Sequence, residues 1–164
     1  MKYKIIDNFL PEEVSENIKK DMYSKWFPWY FSEHMTLTSN DSGFFCHAFY
    51  YFHKQSSHYF ESCVTPIINK LDVKAIIEIR ANLMTNKFER YESDWHCDRD
   101  YDCKTGIYYV NDSNGYTVLL DNDKEINVPC KQNTMLVFDG DLKHKAVSQT
   151  DNERRVVINF NYFD

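Results

Sequence analysis

From Ala75 onward the chain alternates short apolar stretches with turn-forming clusters, and this rhythm limits the fold more than any other feature. Residues 75–85, 104–110, 116–120, 134–138 and 154–163 each read as strands. Turn formers such as Asn111-Asp112-Ser113-Asn114-Gly115 stand between them. Short strands at this spacing predict a sandwich or barrel. The preceding part is different. Residues 2–6 read as a strand, and Pro11-Glu12-Glu13 suits a first helical turn. Val14, Ile18 and Met22 then continue at spacing four, predicting a helix over 11–23. Residues 43–52 resemble a strand, and 56–71 read as a helix carrying Phe60, Val64, Ile67 and Ile68 on one side. The expected fold class is mainly β with flanking helices (α+β). We expect one domain over 1–164, with a helical flank at 1–74 and a β core at 75–164.

Composition agrees with a packed β-rich body: 12 Tyr, 12 Phe and 3 Trp stand against four Gly and four Pro. The aromatic run Trp26-Phe27-Pro28-Trp29-Tyr30-Phe31 is read as core, and residues 86–94 as a solvated loop. A net charge of −6 argues against nucleic acid as a partner. No apolar run is long enough for a membrane span. The first residues lack the pattern of a secretory signal. Cys46, Cys63, Cys97, Cys103 and Cys130 are odd in number and lack C-x-x-C spacing, so reduced thiols and a cytoplasmic location are expected.

His96 and Asp98 carry the first chemical signal. Residues i and i+2 on a strand project to one face, where imidazole and carboxylate can chelate one divalent ion. His144, following the strand at 134–138 and the loop Asp139-Gly140-Asp141, is the expected third ligand. Cys97 between the ligands should point away and serve packing. Arg154-Arg155 opens the last strand, where a cation can bind a carboxylate bidentately. Alternation puts Arg155, Val157, Asn159 and Asn161 on one face and Arg154, Val156, Ile158 and Phe160 on the other. The apolar set suits packing against a helix, which leaves Arg155 for a cavity.

H-x-D, a distal His and a following Arg together resemble the iron(II)- and 2-oxoglutarate-dependent oxygenases, in particular the prolyl-hydroxylase-like branch and its small bacteriophage relatives. Ile5-Ile6-Asp7-Asn8-Phe9-Leu10-Pro11-Glu12-Glu13, Ile107-Tyr108-Tyr109-Val110-Asn111 and Gly115-Tyr116-Thr117 add to the resemblance. It implies a double-stranded β-helix, the jelly-roll or cupin-like barrel. It also implies a dioxygenase holding Fe(II) on His96, Asp98 and His144, with 2-oxoglutarate as co-substrate and ascorbate as accessory reductant. Arg155 would hold the far carboxylate, helped by Tyr109. Residues 78–85 should line the cavity through Asn82, and Tyr91 would replace a family tyrosine that this chain lacks. The expected partner is a peptidyl or small-molecule substrate, and oligomeric state is left open.

Two rivals stand beside this reading. A nucleic-acid demethylase on the same fold usually has a second Arg where this chain has Asn161. A non-catalytic or zinc-filled barrel would be a binding module, but structural zinc is four-coordinate and often uses cysteine, and no cysteine here has matching spacing.

Overall fold

Strand alternation sorts the apolar residues of this chain into two separate cores. In the computed structural model, which describes residues 3–33 and 43–164, the elements run as follows. β1 (Tyr3–Ile6) leads to α1 (Glu12–Tyr23), β2 (Tyr30–Ser32), β3 (Phe44–Tyr51) and β4 (Lys54–Gln55). A π-helical stretch (Phe60–Val64) then runs into α2 (Thr65–Ile68) and β5 (Ala75–Thr85). β6 (Lys104–Tyr109), β7 (Ser113–Asp121), β8 (Lys124–Cys130), β9 (Thr134–Asp139), β10 (His144–Val147) and β11 (Arg154–Phe163) complete the chain.

The larger sheet has the order β1-β9-β6-β11-β5-β3-β2, with β4 beside β3, and the smaller sheet has the order β10-β7-β8. Val156, Ile158 and Phe160 of β11 join Tyr108 of β6, Met135 of β9 and Ile18 and Met22 of α1 in one core. Val157, Ile107, Tyr109, Leu136 and Phe138 point the other way and meet Leu119 and Val128 of the smaller sheet. Successive strand residues face opposite sides, so one set of strands serves a helix-backed core and a barrel interior. This is the antiparallel, two-sheet architecture expected of a double-stranded β-helix.

Polar contacts fix the helical layer on the sheet. The Tyr108 hydroxyl donates to Ser15 Oγ at 2.9 Å on the inner side of α1. Asn133 accepts from Leu10 N and donates to Leu10 O, both at 2.8 Å, anchoring the start of α1 beside β9. Burial, offset in part by the Ser15 hydrogen bond, pushes the Tyr108 phenol up to about 12, so it stays a donor at neutral pH.

Three expectations are corrected. β8 was not expected: Ile126, Val128 and Cys130 alternate with Asn127 and Pro129, but a proline inside the segment argues against a strand. It is an edge strand, where a missing amide donor is tolerated, and it follows a tight turn at Asn122 and Asp123, both with positive φ. The helix expected over 56–71 is instead a π-helical stretch followed by the four residues of α2. Pro66 lies in the first turn of α2 and lacks the amide donor that a continuous helix requires. The aromatic run divides: Phe27 is buried, whereas Trp26, Tyr30 and Phe31 are exposed. Among the described residues, no helix is long and apolar enough to cross a membrane.

Candidate metal centre

His96 and His144 are brought together by backbone pairing. His144 opens β10, and the His96 segment lies antiparallel to it, with His96 N bonded to His144 O at 3.0 Å and His144 N to His96 O at 2.8 Å. The ring centroids are 4.3 Å apart. Asp98, two residues on, turns its Oδ1 toward both rings, 3.8 Å from His96 Nε2 and 3.5 Å from His144 Nε2. One ligand atom from each of these three residues lies within 4.8 Å of the others.

The tautomers follow from the hydrogen bonds. His96 Nδ1 lies 3.0 Å from Asp94 O, and His144 Nδ1 lies 3.1 Å from Leu142 O. A carbonyl only accepts, so each Nδ1 must carry the proton, which leaves a lone pair on each Nε2 facing Asp98. The other carboxylate oxygen is occupied from behind: Asp98 Oδ2 accepts from Asn161 Nδ2 at 2.9 Å and from Thr105 Oγ1 at 3.3 Å. Burial alone would raise the Asp98 carboxyl. The adjoining His144 ring, then the Asn161 amide and the His96 ring, outweigh burial and hold it below the usual carboxylate range. Burial, followed by the neighbouring His144, lowers His96. Two imidazoles and a carboxylate, ordered by outer hydrogen bonds, form a donor set suited to a divalent ion.

The triad opens onto a cavity of about 50 Å³ whose walls include Asn82, Met84, Thr117, Arg155, Val157 and Asn159. Arg155 is 3% exposed, and no carboxylate of the described residues pairs with it. Its guanidinium donates to Thr117 Oγ1 at 3.1 Å and approaches Met84 Sδ at 3.4 Å, while its Nε has no partner. Tyr109, fully buried, donates its hydroxyl to the same Thr117 oxygen at 2.9 Å. Burial, offset in part by Arg155, raises the Tyr109 phenol and keeps it protonated. With two donors already directed at its oxygen, the Thr117 hydroxyl proton is left to point elsewhere. Gly115 gives Arg155 its room, since a Cβ there would lie 2.8 Å from Val147 O and 2.9 Å from Arg155 Cδ.

The other candidates separate. Asn82 lines the cavity, and its Oδ1 is buried without a partner. Tyr109 stands behind Thr117, not among the cavity's lining residues. Tyr91 is also absent from the lining: its backbone pairs with Ser148, and its ring lies 4.9 Å from the Lys87 ammonium. Arg154 takes the opposite face, its guanidinium 4.5 Å over the Tyr23 ring. Cys97 is exposed and contacts Asp141 O at 3.0 Å, so its expected packing role is corrected. The loop at 86–94 is held to β10 by Ser93 N to Ala146 O, and to the residue just after β10 by Ser148 N to Tyr91 O. Thr105, Thr117 and Asn161 were missed as site residues, although alternation had already placed Asn161 on the Arg155 face.

No family model matches the sequence, and no curated protein matches it. Solved structures do. A prolyl hydroxylase from Trichoplax adhaerens, in complex with a hypoxia inducible factor oxygen degradation domain peptide fragment, superposes with a TM-score of 0.72 at 18% identity, covering 99% of this chain and 84% of that one. A Pseudomonas putida prolyl-4-hydroxylase gives 0.66 at 13%, covering 99% and 93%. The fold is that of the 2-oxoglutarate and iron(II) oxygenases. The epimerase SnoN, in complex with Fe3+, alpha ketoglutarate and nogalamycin RO, gives 0.70 at 10%, covering 99% and 79%. The prolyl-hydroxylase-like oxygenase fold therefore spans essentially the whole chain.

Proposed function

We propose that this protein is an iron(II)- and 2-oxoglutarate-dependent dioxygenase that hydroxylates a small-molecule or peptidyl substrate. The observation that carries this reading is Arg155. A guanidinium buried without an anionic partner is costly, and here it shares a cavity with an open two-histidine, one-carboxylate set. That pairing fits a ligand that binds metal at one end and presents a carboxylate at the other.

His96, Asp98 and His144 would hold the iron through His96 Nε2, Asp98 Oδ1 and His144 Nε2. The metal and 2-oxoglutarate would supply the oxidation, with dioxygen and 2-oxoglutarate giving succinate, carbon dioxide and a substrate hydroxylated at one C–H. The protein's own part is positioning. Asn161 and Thr105 keep Oδ1 of Asp98 turned inward, and the two carbonyls fix the imidazole tautomers. Arg155, with its unpaired Nε, and Thr117, with its free proton, present donors to a carboxylate. Tyr109 holds Thr117 in that orientation, and Val157 and Ile107 keep the wall apolar around it. The demethylase alternative loses support at Asn161, which is spent on Asp98, and the zinc alternative gains no cysteine in the cluster.

Incubation with iron(II), ascorbate, dioxygen and 2-oxoglutarate should release succinate, and His144→Ala should abolish it. Succinate at the same rate from the variant, or none from the parent protein across candidate substrates, would overturn the assignment.

A further inference from the structure

A second, more polar cavity of about 110 Å³ adjoins the metal centre on the side of Asp98. Its walls are Glu78, Arg80, Asp98, Arg99, Asn159 and Asn161. Arg80, Asp98 and Asn159 line both cavities, so the two spaces meet at these residues. The register explains why. Arg80 of β5 lies opposite Asn159 of β11, and Glu78 lies opposite Asn161. Period-two alternation then puts Glu78, Arg80, Asn82 and Met84 on one inner face, with Arg155 opposite Met84 at the far end. The inner wall thus carries an arginine toward each end, with Asn82 and Val157 between them.

The cations around these cavities differ in what they are committed to. Arg99 pairs with Glu78 at 2.6 Å, and Lys145 with Glu92 at 2.6 Å. Arg155 is engaged by Thr117 and serves the proposed co-substrate. Arg80 is half-buried, and among the described residues it has no ion-pair or hydrogen-bond partner. Beside it, Oδ1 of Asn159 and Oδ1 of Asn82 are buried without partners. An uncommitted guanidinium flanked by two carboxamide oxygens asks for an anion with N–H donors close to it. The carboxylates of Glu78 and Asp98 share this space, which disfavours a dianion such as a phosphate monoester.

From this arrangement, and resting on the dioxygenase reading, we propose that the substrate is a free α-amino acid. Its carboxylate is held by Arg80, its ammonium faces the Asn159 and Asn82 carboxamides, and its side chain extends toward the metal centre. Arg80 then selects for a free carboxylate, which an internal peptide residue lacks.

The test is direct binding without turnover, so it stands apart from succinate formation. Each common L-amino acid, its carboxamide and its N-acetyl amide is titrated by saturation-transfer NMR and calorimetry into protein loaded with manganese(II) and 2-oxoglutarate under argon. At least one free acid should bind, and its carboxamide should bind about 10- to 100-fold more weakly. Arg80→Gln should weaken the acid by a similar factor, roughly 10- to 100-fold, whereas Arg154→Gln should not weaken it. Binding of no free acid, equal binding of acid and N-acetyl amide, or an unchanged affinity in Arg80→Gln would each overturn the proposal. So would loss of 2-oxoglutarate together with the amino acid in Arg80→Gln, because Arg80 would then serve the co-substrate. If amino-acid binding follows the expected pattern but iron(II) yields no succinate, the dioxygenase reading fails and the subsite stands.

Discussion

Asn161 donates its amide to Oδ2 of Asp98 at 2.9 Å, and this bond decides which oxygen the carboxylate offers to the two histidines. The same amide nitrogen lies 3.1 Å from Thr105 Oγ1, and Thr105 in turn reaches Asp98. Oδ2 is thereby satisfied from the sheet, and Oδ1 is left free to act as a ligand. Outer hydrogen bonds of this kind typically set metal affinity as well as orientation.

Asn161→Ala should therefore weaken divalent-metal binding by roughly 10–100-fold while the fold persists. Calorimetric titration with manganese(II) measures it, and an affinity equal to that of the parent protein would remove Asn161 from the site.

The two adjacent arginines should behave oppositely. Arg155→Ala should cost about 2–5 kcal/mol of 2-oxoglutarate affinity, as expected for truncating one partner of a buried charge pair. Arg154→Ala should leave that affinity alone and lose only about 0.5–1 kcal/mol of stability from its stacking on Tyr23. Binding isotherms and urea melts on both variants separate the effects, and the reverse pattern would exchange their roles.

Gly115 is a further control on Arg155. In Gly115→Ala the added methyl meets Val147 O and the Arg155 stem, so the guanidinium must move. Overpacking should cost about 1–3 kcal/mol of stability, and 2-oxoglutarate should bind more weakly although no polar group has been removed. A variant that binds 2-oxoglutarate like the parent would show that the stem tolerates the displacement.

His47, packed against Phe27 and Phe49, should tie stability to pH. Its Nδ1 lies 2.8 Å from Pro28 O and its Nε2 2.7 Å from Ser57 Oγ, and burial lowers its pKa below 6.5. The unfolded chain then takes up a proton before the folded one does. Its contribution is fully present above the unfolded value and falls as pH drops through it, levelling below the folded value. Denaturation midpoints measured from about pH 7.5 down to about pH 5 should show a shallower decline in His47→Gln than in the parent. Parallel declines would show that His47 contributes nothing to the pH dependence.

Much of the architecture was legible because strand patterning is local. Most strands between Ala75 and Phe163 carried their own alternation, so these strands and the face shared by Arg155 and Asn161 could be read residue by residue. β8 escaped because Pro129 argues against a strand and only its edge position accommodates it, and the helix over 56–71 was overextended because Phe60, Val64, Ile67 and Ile68 mark only the 60–68 stretch and not its flanks.

The sequence by itself determined which residue types could carry chemistry and which way each strand residue points, since both follow from covalent structure and period two. It could not determine partnerships across the barrel. That Thr117 stands between Tyr109 and Arg155, that Asn161 is spent on Asp98, and that Glu78 is taken by Arg99 while Arg80 stays uncommitted all depend on register between distant strands. Such pairings are set by which strands lie side by side and by how much space Gly115 leaves, and only the tertiary structure decides those.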